Sequence, residues 1–263
     1  MNDLMIDKKY IEAFDKFSSY YMEIAKDEFQ KVHINRKIEH CKRVNKLAVD
    51  IAKRMGLSDD IINLISIASL FHDIGRFKQF YLYSTYIDKI SCSHALLSID
   101  MLEEENVLVD LDDESKRIVL DIIKLHNCKE LGEDISKEMY TYASIIRDSD
   151  KIDWIYAMIN IIPSLSKENQ AVFYSCKEDK NYVSMDLVDS ILNNKMVSSI
   201  ELTTIDEVRL ASMGWITSGM KCIESYEIIR QEDLINKTFN LISDSNEKNI
   251  IFNYINEYVK NNF

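Results

Sequence analysis

The sequence predicts an all-α protein. Proline occurs once, at Pro163, and glycine five times in 263 residues. So few turn-formers favour long helices with short joints. Apolar residues recur at three- and four-residue intervals in segment after segment, the period of a helix with one buried face. The length allows a sizeable core, as one large domain or two small ones.

The elements follow in order. Residues 7–30 read as a first helix. Residues 35–56 read as a second, in which Ile38, Cys41, Val44, Leu47, Ala48, Ile51 and Met55 form a stripe. Gly56 supplies its stop. Ser58 then opens a third helix as a cap, with Asp59 and Asp60 in the first turn. The run from Ile61 to Phe71 is nearly all apolar, which predicts deep burial. Further helices are expected at 88–105, 113–127 and 137–161. Pro163 closes the last, because the residue before a proline is turned away from helical geometry. Residues 165–263 hold four or five more helices.

Composition bounds the function. Apolar residues make up 46% and charged residues 29%, as expected of a soluble globular chain. No apolar run approaches the ~20 residues that span a bilayer. The opening "MNDLMIDKKYIEAFDKF" is amphipathic and lacks the apolar core of a secretion signal. None of the five cysteines forms a CxxC, which favours free thiols and a cytoplasmic location. The net charge of −12 is spread along the chain. Polynucleotide binding needs cationic surface, so no nucleic-acid partner is expected. A small anionic substrate stays open, because local cations can offset a global field.

Several polar residues interrupt apolar faces. His40 shares a face with Val44, Leu47 and Ile51, and His72 with Ile65, Ala68 and Ser69. His94 lines up with Leu97 and Met101, and His126 with Val119, Ile122 and Ile123. Asp150 follows Ala143 and Ile146. Of five histidines only His33 is left over. Each residue alone fits a hydrogen-bonded core position as well as a ligand. Periodicity does not show that five segments meet in space. A buried Asp does need a partner, and imidazole with carboxylate suits Fe, Mn, Zn or another first-row ion.

The order of these residues carries a resemblance. His40, then His72–Asp73 in "LFHDIGR", then His94, His126 in "IIKLHN" and Asp150 in "IIRDSDKID" resemble the HD-domain metal-dependent phosphohydrolase superfamily. His40, His72, Asp73 and Asp150 fit its signature over residues 33–155. His94 and His126 match the added histidines of its two-metal subclass. Asp150 precedes Lys151, as in the family pattern. Asp148 lies about 200° away around the helix, so both acids cannot face one centre equally. The resemblance implies an HD-type helical bundle over 1–162, including the N-terminal helix. A helical extension over 163–263 would pack on the same core.

What the resemblance implies for chemistry is specific. Asp73 would bridge two divalent transition-metal ions, Fe or Mn first among them. His40, His72 and Asp150 would hold one ion, and His94 and His126 the other. A hydroxide held by the metals would attack phosphorus in a small phosphorylated metabolite, a nucleotide foremost. Arg76 could grip phosphate through its planar fork or pair with an acidic neighbour. Lys151 could contact substrate or a neighbouring carboxylate. Lys78 and Lys124 are weaker phosphate candidates. Gly75 would release the chain from the helix, and Arg147 would pair with Asp148. Asp153 would accept a hydrogen bond behind the ligands.

Two aromatic stretches have open readings. Residues 77–89 could wall a base-binding pocket or pack in the core. Trp215 in "MGWITSGM" could cap a pocket or mark a close helix contact. Two other functions use the same ligands: a di-iron oxygenase of HD-type fold, and a non-catalytic nucleotide-binding regulator. A homo-oligomer is also open, since amphipathic helices can bury a face between chains.

Overall fold

The computed structural model describes residues 6–166, 168–169, 171–173, 176, 182–197 and 202–263. The protein is all-α, and no strand occurs among the described residues. No helix there is long and apolar enough to cross a membrane. The chain forms two compact units, Met1–Ser149 and Asp150–Phe263. The division falls inside one continuous helix.

The first unit begins with α1 (Lys8–Ile24) and α2 (Glu28–Arg54). The expected first helix of residues 7–30 is therefore two helices, and α2 starts ahead of residue 35. The break has a local cause: Asp27 caps α2 by accepting the Gln30 N–H at 2.8 Å, and Gln30 Oε1 accepts the Lys26 N–H at 3.1 Å. This is close to a capping box, which stops one helix and starts the next. α2 ends as expected. Gly56 has φ +69°, and the Leu57 N–H reaches Ala52 O while the Gly56 N–H reaches Lys53 O. That is a Schellman stop, which favours a residue without Cβ.

α3 (Asp59–Phe71) carries the apolar run, with Ile62, Leu64, Ile65, Ile67, Leu70 and Phe71 all buried. Ser58 stands at its N-cap, but its hydroxyl accepts no capping hydrogen bond. α4 (Gly75–Tyr83), α5 (His94–Glu104) and α6 (Asp113–His126) complete the frame of the first unit. α2 packs along α3 and α4, α3 on α6, and α5 between α4 and α6. Asn45 ties α2 to α3 by donating to Ser66 O at 2.6 Å and Ser69 Oγ at 3.0 Å. The helix expected over 88–105 is shorter: a 3₁₀ turn at Asp88–Ile90 precedes it, and Ser93 caps α5 directly before His94.

The aromatic stretch after the His-Asp pair divides: Tyr83 is exposed, Tyr81 and Tyr86 are half-buried, and the two phenylalanines are core. Phe77 and Phe80 are fully buried, and Phe77 meets Phe14 of α1 edge-on at 6.1 Å. His33 stacks on Phe80 with ring centroids 4.5 Å apart, so the leftover histidine packs in the interior.

α7 (Lys137–Asn160) ends just before Pro163. Within the second unit, α8 (Met185–Leu192), α9 (Ile205–Ser218) and α12 (Asn246–Asn262) pack on one another. α10 (Ile223–Gln231) meets α11 (Leu234–Phe239), which packs on α9. A Cβ on Gly214 would touch Ile191 Cγ1 at 3.0 Å, so "MGWITSGM" makes the close helix contact. Among the described residues no cysteine is joined in a disulfide.

Candidate metal centre

His72 and Asp73 occupy the joint between α3 and α4. His72 is the C-cap of α3, and Asp73 stands just ahead of the first turn of α4. An imidazole suits the negative end of one helix, and a carboxylate suits the positive end of the next. The joint is pinned from α5: Ser98 Oγ accepts the Gly75 N–H at 2.9 Å and donates to His72 O at 2.9 Å. Gly75 is helical and its φ is not positive, which corrects the expected release from the helix. Glycine is required there by close approach. A Cβ would lie 2.1 Å from His94 O and 2.7 Å from Ser98 N.

The two oxygens of Asp73 face different histidines. Oδ2 is 3.5 Å from His40 Nε2 and 3.9 Å from His72 Nε2. Oδ1 is 3.3 Å from His94 Nε2 and 3.8 Å from His126 Nε2. All five residues are buried. Among the described residues, His72, Asp73 and His126 offer ligand atoms within 4.8 Å of one another. His40, His72 and Asp150 form a second such group. Asp150, and not Asp148, is in the second of these groups.

Hydrogen bonds fix how the imidazoles face inward. His72 Nδ1 lies 2.7 Å from Ser69 O, and His126 Nδ1 lies 2.5 Å from Ile123 O. A carbonyl only accepts, so each Nδ1 is the donor, and each ring turns its Nε2 inward. His94 reaches the same state through a carboxylate. Its Nδ1 donates to Asp88 Oδ2 at 2.7 Å. Burial, helped by the Arg76 charge, pushes the imidazole down to about 4, so it is neutral at pH 7. His94 Nε2 then faces His126 Nε2 at 3.1 Å. Nitrogens that close suit one divalent cation, and Nδ1 anchors on carbonyl or carboxylate are what such ligands use. The donor set, imidazole with carboxylate, fits a first-row ion.

Positive side chains surround Asp73. Lys37 Nζ donates to Oδ2 at 2.8 Å, and Arg76 Nε lies 3.4 Å from Oδ1. Burial alone would raise the Asp73 carboxyl. The Lys37 ammonium and neighbouring cationic groups outweigh it and hold the group well below the usual carboxylate range. Arg76 Nη1 also donates to Gln79 Oε1, Tyr86 O and Asp88 Oδ1. Its fork is therefore oriented by both acids. Asp88 accepts from Gln79 and Asn127 as well. Burial pushes its carboxyl up, but the His94 hydrogen bond and the Arg76 charge leave it below the ordinary range.

Sequence reasoning missed Lys37 and Asp88. Lys37 lies one turn before His40 on the same helix, a spacing that places both on one face. Asp88 gave no periodic signal, because it sits in the short 3₁₀ turn. Arg147 serves a helix end, a role the sequence did not suggest. Its guanidinium donates to the carbonyls of Leu125, His126, Cys128 and Lys129 and so holds the end of α6 that presents His126. Asp153 and Lys151 are buried, and Lys151 Cε lies 3.1 Å from where a Gly219 Cβ would be. Lys78 is half-buried, while Lys124 is exposed on a groove of about 720 Å³ lined also by Arg117, Asp121 and Tyr142.

Buried imidazoles gathered about one carboxylate on a wholly helical frame define a protein built to hold a divalent metal. Residues 38–155 match the HD domain family. The match covers a little under half of the chain, and the HD superfamily is one of metal-dependent phosphohydrolases. No curated protein and no solved structure matches the chain.

Proposed function

We propose that the protein is a binuclear metal-dependent hydrolase of a phosphate ester or phosphoanhydride in a small phosphorylated metabolite, a nucleotide foremost. The observation that carries this reading is Asp73, whose two oxygens face two separate histidine pairs. His40, His72, Asp73 and Asp150 would hold one ion, and Asp73, His94 and His126 the other, with Fe or Mn as the metal. Bound there, two divalent ions would make water a nucleophile at neutral pH and offset charge on a phosphoryl transition state.

The chain's own residues do the rest. Ser69 O, Ile123 O and Asp88 anchor three Nδ1 atoms and so turn three Nε2 atoms inward. Arg76 is the proposed grip on phosphate, because Asp88 and Tyr86 O hold one nitrogen of its fork and so fix its plane. Lys151 is proposed as a second cation toward substrate. The net charge of −12 favours a small anion over a polynucleotide.

The test is a panel of nucleotides and sugar phosphates given to Mn²⁺- or Fe²⁺-loaded full-length protein under strict anoxia. The expected result is phosphate release that stops with chelator and returns with metal. Oxygen consumption without phosphate release would overturn hydrolysis in favour of the oxygenase. A second expectation concerns Asp88. Asp88→Ala removes the acceptor that fixes His94, so metal binding at the His94–His126 side should weaken about 10–100-fold. Calorimetric titration with Mn²⁺ reads this as one weakened equivalent of two. Two unchanged equivalents would remove Asp88 from the site.

A further inference from the structure

We propose that Lys37 sets the metal affinity of the centre by competing with the metal for Asp73. The inference rests on the reading of Asp73 as a metal ligand.

Lys37 Nζ donates to Asp73 Oδ2 at 2.8 Å. The same oxygen is the one that faces His40 Nε2 and His72 Nε2, at 3.5 and 3.9 Å. An ion held by those two imidazoles and that oxygen needs the lone pairs the ammonium now uses. A doubly charged ion and an ammonium sharing one carboxylate oxygen repel strongly in a buried setting. Binding therefore has to break a charge-assisted hydrogen bond and move Lys37 away.

The surroundings allow that movement. The Lys37 side chain is 23% exposed, whereas that of Asp73 is 4% exposed. Its ammonium also sits 5.5 Å from the centre of the Tyr86 ring, which offers a cation a second place to rest. The Tyr86 ring is itself fixed, since its hydroxyl donates to His33 O at 2.9 Å. Arg76 does not compete in the same way. It contacts the other oxygen, at 3.4 Å, and is held off by Asp88. Lys37 is thus the cation whose removal should change binding at the His40–His72 side without removing a ligand.

The test is calorimetric Mn²⁺ titration of the full chain at pH 7.5 for wild type, Lys37→Met, Lys37→Gln and Lys37→Arg. Chelator-treated samples are followed by thermal unfolding. Lys37→Met and Lys37→Gln should bind Mn²⁺ at least tenfold more tightly than wild type. Lys37→Arg should stay within about threefold, because it keeps the charge. Without metal, Lys37→Met and Lys37→Gln should melt lower than wild type, since Asp73 loses its counter-charge, and Mn²⁺ should restore them. Equal or weaker Mn²⁺ binding in both neutral variants, with wild type still binding, overturns the competition and leaves the metal centre standing. Failure of every form to bind Mn²⁺, Fe²⁺ or Zn²⁺ overturns both.

Discussion

Asp73→Asn should lower phosphate release by on the order of 10³-fold while leaving the protein folded. The size follows from charge. Metal polarisation is worth several kcal/mol of transition-state stabilisation, and each 1.4 kcal/mol is about a factor of ten in rate. Asparagine keeps the shape of the side chain but has one oxygen in place of two. It can turn that oxygen toward His40 and His72 or toward His94 and His126, not both. One ion should therefore be lost outright, and Mn²⁺ titration should fall from two equivalents to one or none. The fold has separate supports. Ser98 pins the joint through backbone groups of His72 and Gly75, and Asn45 ties α2 to α3, and neither uses the Asp73 carboxylate. Unfolding should still be cooperative, with a lower midpoint because Lys37 and Arg76 lose their counter-charge. Full turnover in a folded Asp73→Asn variant would sink the bridging role and the proposed mechanism with it.

The parts of this centre written in the sequence are those that follow helical period. His72 and His126 lie on apolar stripes that the structure buries, and their Nδ1 partners are carbonyls three residues earlier on their own helices. Such local geometry is fixed once the helix is fixed. The order of the ligands then matched a known family, which period alone could not supply. What stayed illegible depends on contacts between elements. Asp88 reaches His94, Arg76, Gln79 and Asn127 from a 3₁₀ turn, and nothing in "STYIDKISCS" announces those partners. Lys37 gave no signal of its own, because its partner lies on another element. The break at residues 25–27 was legible in principle. Asp27 and Gln30 carry a capping signal, but the apolar period runs on through it.

Gly75→Ala sets two local rules against each other, and the sign of the result decides between them. Helix propensity alone says that alanine should stabilise α4 by about 0.5–1 kcal/mol, since a helical glycine pays more backbone entropy. Packing says the reverse. The new Cβ would stand 2.1 Å from His94 O, 2.7 Å from Ser98 N and 2.9 Å from Leu97 Cβ. Two of these are backbone atoms of α5, so no side-chain rotation relieves the contact. Overpacking of this kind costs about 1–3 kcal/mol and occasionally more, and backbone displacement belongs at the upper end. The expected net loss is about 2–3 kcal/mol, or roughly 4–12 °C in melting temperature for a unit of this size. The clash also has a direction. α5 must move away from α4 at the end that carries His94, which now lies 3.3 Å from Asp73 Oδ1. The His94–His126 side should lose metal before the His40–His72 side does. Ser98→Ala is the control, because it removes the hydrogen bonds across the same contact without adding volume. It should cost less stability than Gly75→Ala and keep both equivalents of Mn²⁺. A Gly75→Ala protein that melts at or above the wild-type temperature would show that α4 and α5 are not held at this distance, and that His94 owes its position to Asp88 alone.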